Sequence, residues 1–259
     1  AVWGPFALGF DFPFYGALRD SVWICANGFL SFGATLGDYR NVGLPDTTEP
    51  IVDLFAAETA ALLAWTLYLV GPQLERVSPL VAPRLRREIT ERMLTPCLNR
   101  DDFWWMGFTP RKVNNWNPWV NSNWLACALL VEEDPVRRAA AVKKITASLD
   151  RFLVPYPHDG GCDEGPSYWG RAGASLFDCL VLLHSATAGQ LDVFGESLVQ
   201  EIGRFIYRAH IAGQYYVNFS DAPARLVPDS LLVFRYGHSI GDETMQRFGA
   251  WLAGEKEIP

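Results

Sequence analysis

The sequence has no CxxC pair. Its five cysteines, at 25, 97, 127, 162 and 179, are scattered and odd in number. That pattern supports neither a zinc site nor a disulfide framework, so no metal and no cofactor is expected. Basic residues are also in short supply: 22 Lys and Arg stand against 29 Asp and Glu, a net charge of −7. Without a basic surplus to displace counterions, a nucleic-acid backbone is excluded as the main partner. A local arginine or asparagine pocket can still hold an anionic sugar. Long uninterrupted apolar sequence is missing too. The longest run, IVDLFAAETAALLAWTLYLVG at 51–71, carries Asp53 and Glu58, which a bilayer tolerates poorly. It reads as a buried helix, with no membrane as partner. No basic stretch followed by an apolar segment and cleavage site opens the chain, so no signal peptide is visible.

What the chain has in quantity is aromatic surface, 14 % of residues with ten tryptophans. Such rings fill cores, and they also stack on sugars. Two textures divide the sequence. Residues 1–50 are rich in aromatics and glycine. SVWIC has strand composition, and Asn27-Gly28 signals a hairpin turn before the strand-like FLSF. Two or three short strands are expected there. From Ile51 onward the period becomes helical, with Leu54, Ala57, Ala61 and Trp65 on one face. An amphipathic helix is predicted over Leu74–Leu98, interrupted at Pro79 and Pro83. Further helices are predicted over 118–132, 135–153, 167–187, 191–212 and 240–253. Short joints between antiparallel helices predict a mainly α chain: an incomplete (α/α) toroid of helical hairpins at 51–259, preceded by a short β segment at 1–50. An exposed apolar flank on such a toroid would leave room for a homodimer.

Two stretches concentrate the chemistry. Residues 158–173 read HDGGCDEGPSYWGRAG, three carboxylates, a histidine, a tyrosine and an arginine among five glycines. Pro166 suits a helix's first turn, which places Tyr168 near a positive dipole end with Arg171 on the same face. A phenol of ordinary pKa near 10 needs such help to act as a base. Residues 103–124, FWWMGFTPRKVNNWNPWVNSNW, hold five tryptophans and five asparagines. Asn117-Pro118 predicts a helix start with Asn117 as N-cap, which aligns Asn117, Asn121 and Trp124 at an end that favours anions. Asn114 and Asn117 equally suit plain loop and cap roles. Trp116, Trp119 and Trp124 are candidates for sugar stacking or for core packing. His158 could shuttle a proton, and Asp159 and Glu164 could anchor Arg171 or the loop. His184 and His210 read as interior or capping histidines, and His238 as the start of a helix.

The stretches DDFWWMG, NNWNPWVNSNWLACALL, DGGCDEGPSYWGRAG, YYVNFSDAPARLVPD and RYGHSIGD together resemble the toroid of the heparinase II/III-like polysaccharide lyases, over about residues 51–255. Residues 1–50 resemble part of a β-sandwich module of secreted bacterial proteins. The first resemblance implies β-elimination on a uronic-acid-containing polysaccharide, secreted or periplasmic in location. By position it implies Asn121 as the residue that neutralises the C5 carboxylate and Tyr168 as the base and acid. His158 and Glu164 join them as catalytic candidates, and Asn117, Trp116, Trp119, Trp124, Arg171 and Asp159 as substrate contacts. It also implies a β-sandwich domain after the toroid, which the sequence up to Pro259 does not contain. Two rivals stand beside this reading. One is a glycoside hydrolase with paired carboxylates, one from Asp159, Asp163 or Glu164 and the other from Asp53, Asp102 or Asp221. The other is a carbohydrate-binding remnant without turnover.

Overall fold

The computed structural model describes residues 2–14, 17–25, 30–31 and 52–255. The chain divides into two units, Ala1–Pro50 and Ile51–Pro259. In the first, β1 (Val2–Phe14), β2 (Ala17–Cys25) and β3 (Leu30–Ser31) form an antiparallel sheet in that order. The β1–β2 register shifts between Trp3 and Phe6, where Pro5 has no N–H to give the ladder. SVWIC ends β2, and Ile24 pairs with Leu30 of FLSF. The turn expected at Asn27-Gly28 lies outside the described residues.

The second unit is mainly α. Asp53 caps α1 (Leu54–Val77), its Oδ1 accepting the Ala56 N–H at 2.7 Å. The helix carries on through Pro72, with a kink at Val70, because a proline there removes one backbone bond and crowds the preceding turn. It is not the fully buried helix the sequence predicts. Ala57, Ala61 and Ala64 pack toward α4, while Phe55, Leu62, Tyr68 and Leu69 are exposed. The break predicted near Pro79 is present. Pro83 falls inside the first turn of α2 (Val81–Ile89), where its missing N–H costs little. A π turn at Thr90–Leu94 leads from α2 into α3 (Thr95–Asn99), and Pro96 explains the widened turn, since it can make no backbone bond of its own.

At the centre lies α4 (Trp116–Leu130), in contact with α1, with α5 (Pro135–Leu153) and with α7 (Gly173–Ala186). Neighbours on so many sides bury most of its faces. Trp105 and Trp124 are among the largest fully buried side chains, each contributing about 2–3 kcal/mol of hydrophobic stabilisation. Asp134 and Pro135 start α5 as N-cap and first helical residue, the Val136 N–H reaching Asp134 Oδ1 at 2.8 Å.

The single helix predicted over 167–187 is two: a one-turn α6 (Pro166–Trp169), then α7. The helix predicted over 191–212 shrinks to α8 (Ser197–Arg208), and His210 instead opens β4 (His210–Ala212), which pairs with β5 (Tyr215–Tyr216). A helix the sequence reading missed, α9 (Ser230–Ser239), is capped by Asp229 and ends near His238, so His238 closes a helix rather than starting one. It packs closely on α10 (Glu243–Glu255): a Cβ at Gly249 would meet the Phe234 backbone nitrogen at 2.6 Å.

Candidate active site

The loop before α6 turns back on the segment before α9 at Gly165. Its φ is +89°, and a Cβ there would lie 2.6 Å from both the Ala222 Cβ and the Phe219 carbonyl oxygen, so only glycine allows the approach. That contact sets Asp221 beside α6. Within α6, Trp169 points inward and donates Nε1–H to the Ile202 carbonyl at 2.8 Å. Its neighbour Tyr168 is thereby turned the other way, into a cavity of 590 Å³ between the starts of α1 and α4. Asn114, Asn115, Trp116, Trp119, Glu164, Arg171 and Asp221 also line it.

Two carboxylates organise this cavity. Glu164 accepts the Asn114 amide at Oε1 (3.1 Å) and the Asn115 amide at Oε2 (2.6 Å), which ties the loop at 158–165 to the start of α4. Burial raises the Glu164 carboxyl above its ordinary range, as does the charge of Asp163; the Asn114 hydrogen bond pulls it back in part, and Asp221 raises it further. Glu58 accepts from Trp119 Nε1 at 2.8 Å and pairs with Arg171 at 2.7 Å. The Arg171 guanidinium also lies over the Trp119 ring, 4.1 Å from its centroid. One carboxylate thus fixes an indole and a guanidinium together, and the remaining Arg171 N–H groups stay available to an anion. The Tyr168 hydroxyl makes no hydrogen bond among the described residues.

Trp116, Trp119, Glu164, Tyr168 and Arg171 are therefore brought together as the sequence reading grouped them. Several other expectations need correction. Asn121 is 0 % exposed, its amide donating to Ser148 Oγ (2.9 Å) and to Asn117 Oδ1 (3.3 Å). Asn117 is equally buried, donating to the Trp105 carbonyl (2.8 Å) and the Ser148 carbonyl (3.0 Å). Neither can meet a substrate. The cause is the position of α4: its N-cap is Asn115 rather than Asn117, and the face carrying Asn117, Asn121 and Trp124 turns into the core.

His158 and Asp159 are exposed and line no part of the cavity. Asp159 Oδ1 instead accepts the Gly161 N–H at 3.0 Å, closing its own turn. The dipole support expected for Tyr168 also lapses, because α6 is a single turn with few aligned peptides. Of the carboxylates proposed for hydrolysis, only Glu164 and Asp221 share the cavity. Asp53 caps α1, and Asp102 pairs with Arg100 at 2.8 Å.

The sequence reading missed Glu58 and Asn115. The signal for Glu58 was present: an ionisable side chain inside an apolar helix needs a partner, and Arg171 is that partner. Cys97, Cys127, Cys162 and Cys179 are buried free thiols. Burial pushes those of Cys127 and Cys162 up to about 12, which leaves them unreactive near neutrality. No protein-family model matches the chain, and no curated protein matches it.

Proposed function

We propose that this chain cleaves a uronic-acid-containing polysaccharide by β-elimination at the Tyr168 cavity. The observation that carries the reading is the Tyr168 hydroxyl, unpartnered among the described residues, in one cavity with a guanidinium and two tryptophan rings. The uronate carboxylate pairs with the free N–H groups of Arg171, in the neutralising role first assigned to Asn121. That pairing withdraws charge from C5 and makes its C–H more acidic. Tyr168, with the Arg171 guanidinium in the same cavity to offset the charge on its oxygen in place of the helix dipole, takes the C5 proton as phenolate; the C5 electron pair forms the C4=C5 double bond, and the C4–O bond breaks. The departing oxygen then takes the proton from Tyr168, which restores the phenolate. Trp116 and Trp119 offer faces on which the sugar rings stack. Such a substrate places the chain outside the cytoplasm. The helical hairpins, α9 on α10 most plainly, support reading 51–259 as part of an (α/α) toroid, with the sheet of 1–50 as part of a β-sandwich module.

A specific observation supports a second reading, glycoside hydrolysis: Glu164, raised in pKa, and Asp221 line the same cavity, an arrangement suited to one protonated and one ionised carboxyl. One experiment separates the two. A panel of polyuronates and neutral β-glucans is incubated with the chain, and products are followed by ultraviolet absorbance and by new reducing ends. Elimination gives both signals on a polyuronate; hydrolysis gives reducing ends without absorbance, and that result would replace the first reading with the second.

A further inference from the structure

Most described arginines and lysines are engaged: they pair with carboxylates, lie over rings or donate to carbonyls. Lys143 and Arg151 are exceptions, with side chains that make no hydrogen bond, ion pair or ring contact among the described residues. Both line one cavity, of 830 Å³, between the flank of α5 and the loop at 107–110. The helix supplies Ala140, Lys143, Ala147 and Arg151, which its period sets on one face. Lys143 and Arg151 stand about 12 Å apart along the axis, a span that side chains of their length can close. Between them Ala147 leaves room that a larger side chain would fill.

The walls are held in place on both sides. Lys144 donates to the Leu98 and Arg100 carbonyls at 3.1 and 2.7 Å, which ties the chain at 98–101 to α5. It also pairs at 2.7 Å with Asp101, the one carboxylate among the described lining residues, so that charge is already offset. On the other side lies Gly107, at φ +77°, where a Cβ would meet the Arg151 Cβ at 2.5 Å. Only glycine lets the loop press on the arginine stem, and the contact fixes where the guanidinium emerges. Thr109, on the same loop, has a covered hydroxyl with no hydrogen-bond partner among the described residues.

We infer that this cavity binds a phosphate dianion, free or carried as a monoester. Two unpaired cations match two negative charges, and their charge-assisted hydrogen bonds hold the phosphate oxygens. The Thr109 hydroxyl, brought to the ligand by one rotamer change, donates a further bond. The phosphate rests on the side of α5 at Ala147, clear of the open carbonyls at the helix's end. A uronate carries a single charge, and no lining residue is common to this cavity and that of Tyr168. The site therefore stands apart from the elimination reading in ligand and in residues.

Binding alone tests this. The chain is titrated into inorganic phosphate, and separately into glycerol 3-phosphate, at fixed ionic strength, and phosphorus NMR follows the ligand. Saturable binding at one site per chain is expected for at least one of the two, and which one binds tells a free ligand from an esterified one. Sulfate, also doubly charged, should displace it, and acetate should not. Arg151→Gln should weaken binding about tenfold, and Lys143→Gln about fivefold, as expected for loss of a charged partner. Ala147→Leu, which fills the space without altering charge, should weaken it about fivefold, and Thr109→Val about threefold. The site is overturned if neither probe binds saturably, if acetate displaces as well as sulfate does, or if any of these variants, folded by circular dichroism, binds as the parent does.

Discussion

Two pairs of asparagines lie within one short stretch of sequence and do opposite work. Asn114, half-buried, and Asn115, itself buried, line a cavity and hold Glu164 between them. Asn117 and Asn121, one helical turn apart, meet Ser148 inside the core, where Ser148 in turn donates to the Met106 carbonyl at 2.9 Å. The composition of the two pairs is identical. What separates them is whether the residue precedes α4 and lines the cavity, or lies on the helix, where α1, α5 and α7 close round it. The first pair sets the site's geometry; the second holds the central helix to α5 and to the turn carrying Trp105.

The sharpest way to break this division is at the rim. Tyr168→Phe removes only the hydroxyl and should lower turnover by about a thousandfold, the usual scale for losing a general base, with the circular dichroism spectrum unchanged. In the core the largest effect should be on stability. Asn117→Ala strips a donor from the buried Trp105 and Ser148 carbonyls, and denaturant unfolding should show a loss of about 2–4 kcal/mol. The protein that remains folded should keep its kcat, which a role for Asn117 in chemistry would not allow.

Next in size is Arg171→Ala. It removes the cation that neutralises the uronate carboxylate, together with the stack on Trp119 and the pair with Glu58, and steady-state kinetics should show kcat lowered about a hundredfold with a smaller rise in KM. The smallest effect concerns Glu164. Its carboxyl is raised, so the folded chain holds that proton to higher pH than the unfolded chain does. Folding therefore takes up a proton between the ordinary carboxylate range and the raised value, and stability falls as pH climbs through that window. Thermal melts across mildly acid pH should show this slope in the parent and a shallower one in Glu164→Gln.

Much of the scaffold could be read in the sequence, because its signals are local. Asp134-Pro135 announces α5, Pro166 announces α6, and the leucine and alanine spacing announces α1. The site was legible in its members but not in its depth. Tyr168, Glu164, Arg171 and the two rim tryptophans were grouped by motif, yet nothing local says that Asn121 is covered on every side, since burial of α4 depends on helices far away in sequence. The shift of the N-cap from Asn117 to Asn115 puts Asn117 inside the helix rather than at its open end, and the packing of α1, α5 and α7 covers the face it shares with Asn121. Glu58 illustrates the converse. Its charge in an apolar run was visible, but its partner, Arg171, is more than a hundred residues on. The helix α9 was missed because its apolar start, SLLVF, reads as strand as readily as helix when the Asp229 cap is not weighed.

The central claim is that the Tyr168 hydroxyl is the proton-transfer group for elimination. Its most direct test is the rate at which ultraviolet-absorbing product forms from a uronate-containing polysaccharide, compared between the parent chain and folded Tyr168→Phe. Steady product is expected from the parent and almost none from the variant; equal rates from both would rule out Tyr168 as that group.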